Sequence, residues 1–450
     1  MKFLGKWWHI LKTDKLLQKI LANSGYLLSS NVLSMGLSML QSILAGRLLG
    51  VAGLGVVGTI TAFASTLNRL FSFRMNELVV KYFGEAKSQN QPERAAAVVK
   101  VAALGETGSA ILSFLILVLL APIVAERLAD DPTTAPLFIL YGTMVLANFA
   151  TETSTGVLQA TNKFRNYAIV NLISSILTAS VIVWSFFSQR GMMEVVLAYL
   201  IGKFVLGLGT AVLGYHEMNR ALGKGWWKAS FSHLPPLKEL FSFAFSSNIS
   251  STIIMLVRDN EALWIAFFLS PVEVGYAKVA LAIINLVQIP ITPFISTTYP
   301  EINQAVIRRD WTLLRRLLKR ITLISGTWTG ACALGLAVLG RWLLSFYGVD
   351  FQPAYVPMLI FLVGLGFANI LFWNRPLLLS LGMPLVPYRY TLWAGLAKVG
   401  LAFLLVPRLG LNSEAFLLSA FFVISVSLIV WRGLQEVNHR EKIDLEANPA

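Results

Sequence analysis

Cysteine and histidine are nearly missing from this chain of 450 residues. The one cysteine, Cys332, sits in an apolar stretch, which excludes a disulfide framework and a thiolate metal site. The four histidines, His9, His216, His233 and His439, fall in polar segments far apart in sequence. Neither a metal centre nor a histidine-based catalytic triad has material to form. Charge is scarce as well: 13% of residues are Asp, Glu, Lys or Arg, against 56% hydrophobic. No stretch is polar enough to fold as a separate soluble domain. The chain is therefore not expected to be an enzyme, and no catalytic residue, metal or cofactor is expected.

What the chain has in quantity is the apolar run of roughly 20 residues, the length that crosses about 30 Å of hydrocarbon. Six such spans lie near Tyr26 to Leu49, Leu54 to Phe73, Ala96 to Leu119, Ala135 to Thr153, Tyr167 to Phe187 and Val195 to Tyr215. Four more lie near Ile321 to Phe346, Tyr355 to Trp373, Tyr390 to Pro407 and Ala415 to Trp431. Two remain to be placed between Phe245 and Thr298, which makes an all-α membrane protein of about twelve helices. Residues 2 to 20 mix Lys2, Lys6, Lys12, Lys15 and Lys19 with Leu4, Trp7, Trp8, Leu11, Leu16 and Leu17. Such an amphipathic segment suits the lipids of an anionic inner leaflet. No short apolar core with a small-residue cleavage site is present there, so no removable signal peptide is expected.

The formal charge of +14 follows the membrane rather than a nucleic acid. With the N-terminus inside, 27 of the 37 Lys and Arg lie in or beside inner connections, among them Arg308, Arg309, Arg315, Arg316, Lys319 and Arg320. Outer connections hold five: Arg47, Arg127, Arg190, Arg341 and Arg408. That asymmetry is the positive-inside rule, and it places both ends of an even-numbered bundle in the cytoplasm of a plasma or inner membrane.

The sequence repeats itself. Leu49 and Gly55 match Leu269 and Gly275 at an offset of 220; Pro136, Ala147, Asn148 and Leu158 match Pro357, Ala368, Asn369 and Leu379 at 221. A near-constant offset across several helices implies two parallel-related six-helix lobes around a central cavity. The expected division is an N-terminal segment at 1–21, an N-lobe at 22–216, a linker at 217–240, a C-lobe at 241–431 and a tail at 432–450. The repeat also lays "GRLLGVAGLGVVG" from Gly46 over "AFFLSPVEVGYAK" from Ala266. The seventh span then runs to about Leu269, with its turn at Ser270 to Val274. Arg258, Asp259, Asn260 and Glu261 fall in the middle of that span, where hydropathy alone would have put a loop.

An ionised side chain at mid-membrane costs roughly 2.5 to 3.5 kcal/mol on insertion scales, so these residues must face a cavity or one another. Arg258 and Glu261 share a helix face at i, i+3, whereas Asp259 points about 100° away. Four other spans carry a cation at this depth: Arg69, Lys203, Lys278 and Lys398. Their acids are Asp259, Glu261 and Glu106. An interior with excess positive charge suits an anionic cargo such as a phosphate or diphosphate, although Lys203 and Lys398 fit structural pairs equally well. Arg258, Lys278, Arg69, Lys203, Lys398 and Asn260 are the candidate cargo contacts. Asp259, Glu261 and Glu106 are the candidates for coupling to H+ or Na+. Ser29, Ser30, Asn31 and Ser34, matched by Ser246, Ser247, Asn248, Ser250 and Ser251, serve sugar hydroxyls or close helix packing. Pro290 and Pro293 bend the eighth span.

"LAGRLLGVAGLGVVGTITAF" from Leu44, "LQATNKFRNYAIVN" from Leu158, "DNEALWIAFFLSPVEVGYAKVA" from Asp259 and "TTYPEINQA" from Thr297 are weak singly and specific as a set. Together they resemble polysaccharide or oligosaccharide flippases of the multidrug/oligosaccharidyl-lipid/polysaccharide exporter superfamily, over essentially the whole chain. The resemblance implies a V-shaped two-lobe exporter that moves an undecaprenyl-diphosphate-linked glycan from the inner to the outer leaflet. It also implies membrane lipids and glycan polymerase or assembly proteins as partners. Twelve spans rather than fourteen depart from the lipid II branch, and Lys278 is a charge where a small or apolar residue is expected. A drug exporter shares the fold, and a membrane glycan-processing enzyme would need a larger outer loop than the roughly 5 to 13 residues present.

Overall fold

The structure, a computed structural model, describes residues 15–234, 236, 238–240, 252, 255 and 260–447, without side chains at 15–31, 164, 292–293, 295–297 and 447. The basic stretch at 2–14 lies outside the described residues. Every regular element among those described is a helix, and nine helical stretches are long and apolar enough to cross a membrane.

The first helix, α1 (Lys15–Phe71), is 57 residues long, about 85 Å at 1.5 Å per residue. That is too long for one crossing. It is interrupted at Gly50, whose φ of 69° and ψ of −177° lie where a residue without Cβ is favoured. The interruption falls between the first two expected spans. After a break at Ser72–Arg74, where Phe73 and Arg74 both have positive φ, comes α2 (Met75–Ser88). Hydropathy passes over α2 because it is amphipathic: Leu78, Val79, Tyr82, Phe83 and Ala86 recur at helical spacing and are buried, while its other positions are largely polar. Their partners include Ala95, Val98, Val99, Ala102, Val157 and Met218.

The chain continues through α3 (Pro92–Leu128), α4 (Ala135–Gly142), α5 (Met144–Ala147), α6 (Thr151–Ala160), α7 (Phe164–Phe187) and α8 (Met192–Leu222). The second half has α9 (Glu261–Phe268), α10 (Pro271–Gln288), α11 (Thr292–Ile307), α12 (Trp311–Ser345), α13 (Tyr355–Ile370), α14 (Asn374–Ser380), α15 (Leu385–Leu409) and α16 (Leu411–Ala447). The helix break expected near Leu269 is there, with Leu269 and Ser270 extended and α10 starting at Pro271. Ser270 caps α10 together with Glu273. The eighth span is interrupted at Ile289–Ile291, around Pro290, with Pro293 in the first turn of α11.

The two halves break alike. The second span of each ends in a short turn followed by another helix, α2 or α11, and the fourth span of each is interrupted, at Asn148–Ala150 and at Leu371–Trp373. The packing divides into unit 1 (Met1–Leu48, Phe63–Glu126, Asp131–Ile249) and unit 2 (Leu49–Ala62, Arg127–Asp130, Ser250–Ala450). Within unit 2, the repeat-matched glycines face each other's helix. A Cβ on Gly55 would lie 1.7 Å from the Pro271 carbonyl oxygen, and one on Gly275 would lie 2.2 Å from the Val51 carbonyl oxygen. Each glycine thus meets the residue four positions before the other, the reciprocal contact expected of two copies of one element. Glycine permits the approach because backbone can then pack on backbone.

Candidate functional site

In unit 1 the interruption of the fourth span creates a polar site. At Asn148–Ala150 the backbone leaves the helix, so the first amides of α6 have no carbonyl within their own helix to bind. Glu106 of α3 supplies the acceptors: Oε1 accepts from the Glu152 amide at 2.7 Å and Oε2 from the Thr153 amide at 2.9 Å. Glu106 is 4% exposed, and two charge-assisted bonds at the positive end of a helix stabilise it without a cation. Thr107 joins the same elements, its hydroxyl donating to the Phe149 carbonyl at 3.2 Å.

Helix α8 approaches from another side because Gly207 has no side chain. A Cβ there would sit 2.5 Å from the Ala147 carbonyl oxygen and 2.8 Å from Asn148 Oδ1. The approach brings Lys203, one turn earlier on α8, into the same interior. A cavity of ≈190 Å³ results, its walls including Glu106, Ser109, Ser113, Asn148, Glu152 and Lys203. Lys203 has no ionic or hydrogen-bonding partner among the described residues. The buried Glu152 Oε2 and Ser113 Oγ have no hydrogen-bond partner among the described residues. The Glu152 carboxylate has Arg74 and Ser72 nearby.

Unit 2 contains a second buried cluster. Lys398 of α15 donates to Glu261 Oε1 in the first turn of α9, and its Nζ lies 3.0 Å from Oε1 of Glu414 in the first turn of α16. The three residues are 3%, 4% and 0% exposed respectively. Two carboxylates therefore share one ammonium, and Glu261 Oε2 and Glu414 Oε2 accept no hydrogen bond among the described residues.

Sequence reasoning placed Lys203 with Glu106, and Lys398 with Glu261, at membrane depth without pairing them; the structure pairs Lys398 with Glu261 and puts Lys203 and Glu106 in the walls of one cavity. Arg258 and Asp259 lie outside the described residues, so the i, i+3 partnership with Glu261 does too, and the ionic partner found for Glu261 is Lys398. Asn260 is buried immediately before α9, and its carbonyl accepts from the Leu263 and Trp264 amides. Arg69 is exposed in the last turn of α1. Lys278 runs beside Gly58, where a Cβ would lie 3.1 Å from its Cδ. Of the small polar residues, Ser34 accepts from Asn171 Nδ2 at 3.3 Å; Ser29, Ser30 and Asn31 have no described side chain, and Ser246 to Ser251 lie outside the described residues.

Two functional candidates escaped the sequence. Glu152 follows the break in "NFATET" and Glu414 precedes the expected last span by one residue, so hydropathy assigned both to span ends. Among the described residues, Glu414 lies against Lys398 and Glu152 shares a cavity with Lys203, so two of the expected cations have an additional acid near them.

A family model described as polysaccharide biosynthesis protein matches residues 20–306. That range holds Glu106, Glu152, Lys203, Glu261 and Lys278, and stops short of Lys398 and Glu414. The inner membrane protein YghQ of Escherichia coli strain K12 is 26% identical over 348 residues, covering 76% of this chain and 96% of that protein. Among solved structures, an inward-facing multidrug resistance MATE family transporter of the MOP superfamily superposes with a TM-score of 0.74 at 13% identity, over 93% of this chain and 96% of that one. Lipid II flippase MurJ in an inward closed conformation gives 0.70 at 15% identity, over 92% and 89%. At these identities the structural likeness concerns the fold.

Proposed function

The chain belongs to the polysaccharide biosynthesis protein family, membrane transporters of the multidrug/oligosaccharidyl-lipid/polysaccharide exporter superfamily, and on that premise we propose that it is a flippase for a lipid-linked oligosaccharide. The cargo is an undecaprenyl-diphosphate-linked repeat unit of a surface polysaccharide or O-antigen, carried from the inner to the outer leaflet by alternating access. The observation that carries this reading is the polar cavity of unit 1, whose hydroxyl, amide, carboxylate and ammonium groups sit on helices otherwise apolar enough to cross a membrane. Polar groups at that depth are expensive unless function retains them. The positive-inside distribution supports an inner-membrane location with both ends cytoplasmic.

Coupling is ascribed to the Glu261–Lys398–Glu414 cluster. One ammonium already occupies the space between the two carboxylates, which favours a proton over Na+ as the exchanged ion, since two like charges that close do not both stay ionised without a second cation. Lys278 and Arg69, with Arg258, are ascribed to the diphosphate or to acidic sugars.

The proposal is tested in a strain lacking its own glycan flippase. Expression of the chain restores surface glycan, while Lys203→Ala and Arg258→Ala insert in the membrane and do not. Unimpaired export by both variants contradicts the assignment of those residues. A drug exporter of the same fold is the competing possibility, supported by the buried Glu106, Glu261 and Glu414 and the half-buried Glu152, which would suit a cationic cargo. It requires efflux of ethidium with no effect on surface glycan.

A further inference from the structure

The cavity of unit 1 has a size and a chemistry that together select one kind of occupant. The cavity volume is ≈190 Å³. It falls below the ~300 Å³ at which pockets for drug-sized ligands begin. That is room for a single sugar ring.

The walls discriminate further. Lys203 offers donors with no partner among the described residues, while the Glu152 carboxylate and the Ser113 hydroxyl belong to the same wall, their Oε2 and Oγ buried and without a hydrogen-bond partner among the described residues. A metal cation is disfavoured by the ammonium. A phosphate or carboxylate is disfavoured by the two carboxylates, Glu106 bound by the Glu152 and Thr153 amides and Glu152 by the Met75 and Asn76 backbone and Ser72. A neutral polyol meets both demands, because every hydroxyl accepts from Lys203 or donates to a carboxylate. Asn148 and Ser109 add neutral partners of either sense.

We infer that this cavity is a subsite for one neutral, hydroxyl-bearing sugar residue of the transported glycan. The inference rests on the flippase function proposed above and names the part of the cargo that unit 1 inspects. Gly207 lets α8 approach the broken fourth span beside Asn148, one of the cavity's walls.

The test uses the full chain in detergent with Cys332→Ser, carrying either Ser113→Cys or Ser109→Cys, labelled by a small methanethiosulfonate reagent. The probes are free glucose, galactose and N-acetylglucosamine, with glucuronate, inorganic phosphate and NaCl as the charged comparisons. A neutral sugar slows labelling about tenfold at ten times its dissociation constant, because only the unoccupied fraction reacts. Lys203→Met removes that protection. Four results overturn the inference: no protection by any neutral sugar at an accessible cysteine, stronger protection by glucuronate or phosphate, protection by Na+, or no labelling at either position. Export in the flippase-deficient strain separates the levels. A chain that restores glycan but shows no sugar protection loses only the subsite, whereas a chain that restores none loses the flippase function as well.

Discussion

Glu106 and Lys398 show two ways of keeping a charge inside a membrane, and they fail differently when altered. Glu106 is neutralised by the end of a helix, so Glu106→Gln keeps an acceptor for one amide and loses one charge-assisted bond. The expected loss is about 1.5–3 kcal/mol, read as a lower unfolding temperature in detergent. An unchanged Tm would mean that the amides of Glu152 and Thr153 are satisfied without it. Lys398→Met leaves Glu261 and Glu414 side by side with no counter-charge, a change that costs about 3–5 kcal/mol in buried pairs. Adding Glu261→Gln and Glu414→Gln should recover most of that loss. A triple variant no more stable than Lys398→Met would contradict the ionic description of the cluster.

At the scale of elements, the two-fold construction of the chain rests on contacts that tolerate no added atoms. Gly55→Val and Gly275→Val each push a side chain against a carbonyl of the opposing helix and should destabilise the protein by about 1–3 kcal/mol. Because the contact is reciprocal, the two effects should match, and thermal unfolding of the pair of variants measures this. Equal tolerance of valine at both sites would remove the close packing. The helix break at Leu269–Ser270 was legible from the repeat alone, since the glycine pattern around Gly55 and Gly275 survives where hydropathy blurs. The break at Asn148–Ala150 was not legible: "LANFAT" contains neither Gly nor Pro, and the acceptor that stabilises the break comes from Glu106 on another helix. Helix α2 was hidden because amphipathic helices lie below a hydropathy threshold. Glu152 and Glu414 were hidden because each sits at a span end by composition, though helix geometry carries it inward.

On the scale of the whole molecule, an all-helical membrane fold and its family were readable from span length, charge asymmetry and the short motifs, whereas the acids that accompany Lys203 and Lys398 were not. Sequence counting assigned an excess of cations and passed over Glu414, which lies against Lys398, and Glu152, which shares the cavity of Lys203. The central claim is that this chain moves a lipid-linked oligosaccharide across a bilayer. The most direct measurement reconstitutes the purified protein in liposomes carrying undecaprenyl-diphosphate-oligosaccharide in the inner leaflet and follows its exposure to an external lectin, with and without an imposed pH gradient. Lectin access that rises with the protein, faster under a pH gradient than under a Na+ gradient, is the predicted result. Protein that leaves the glycolipid inaccessible while carrying ethidium across the same membrane would contradict it.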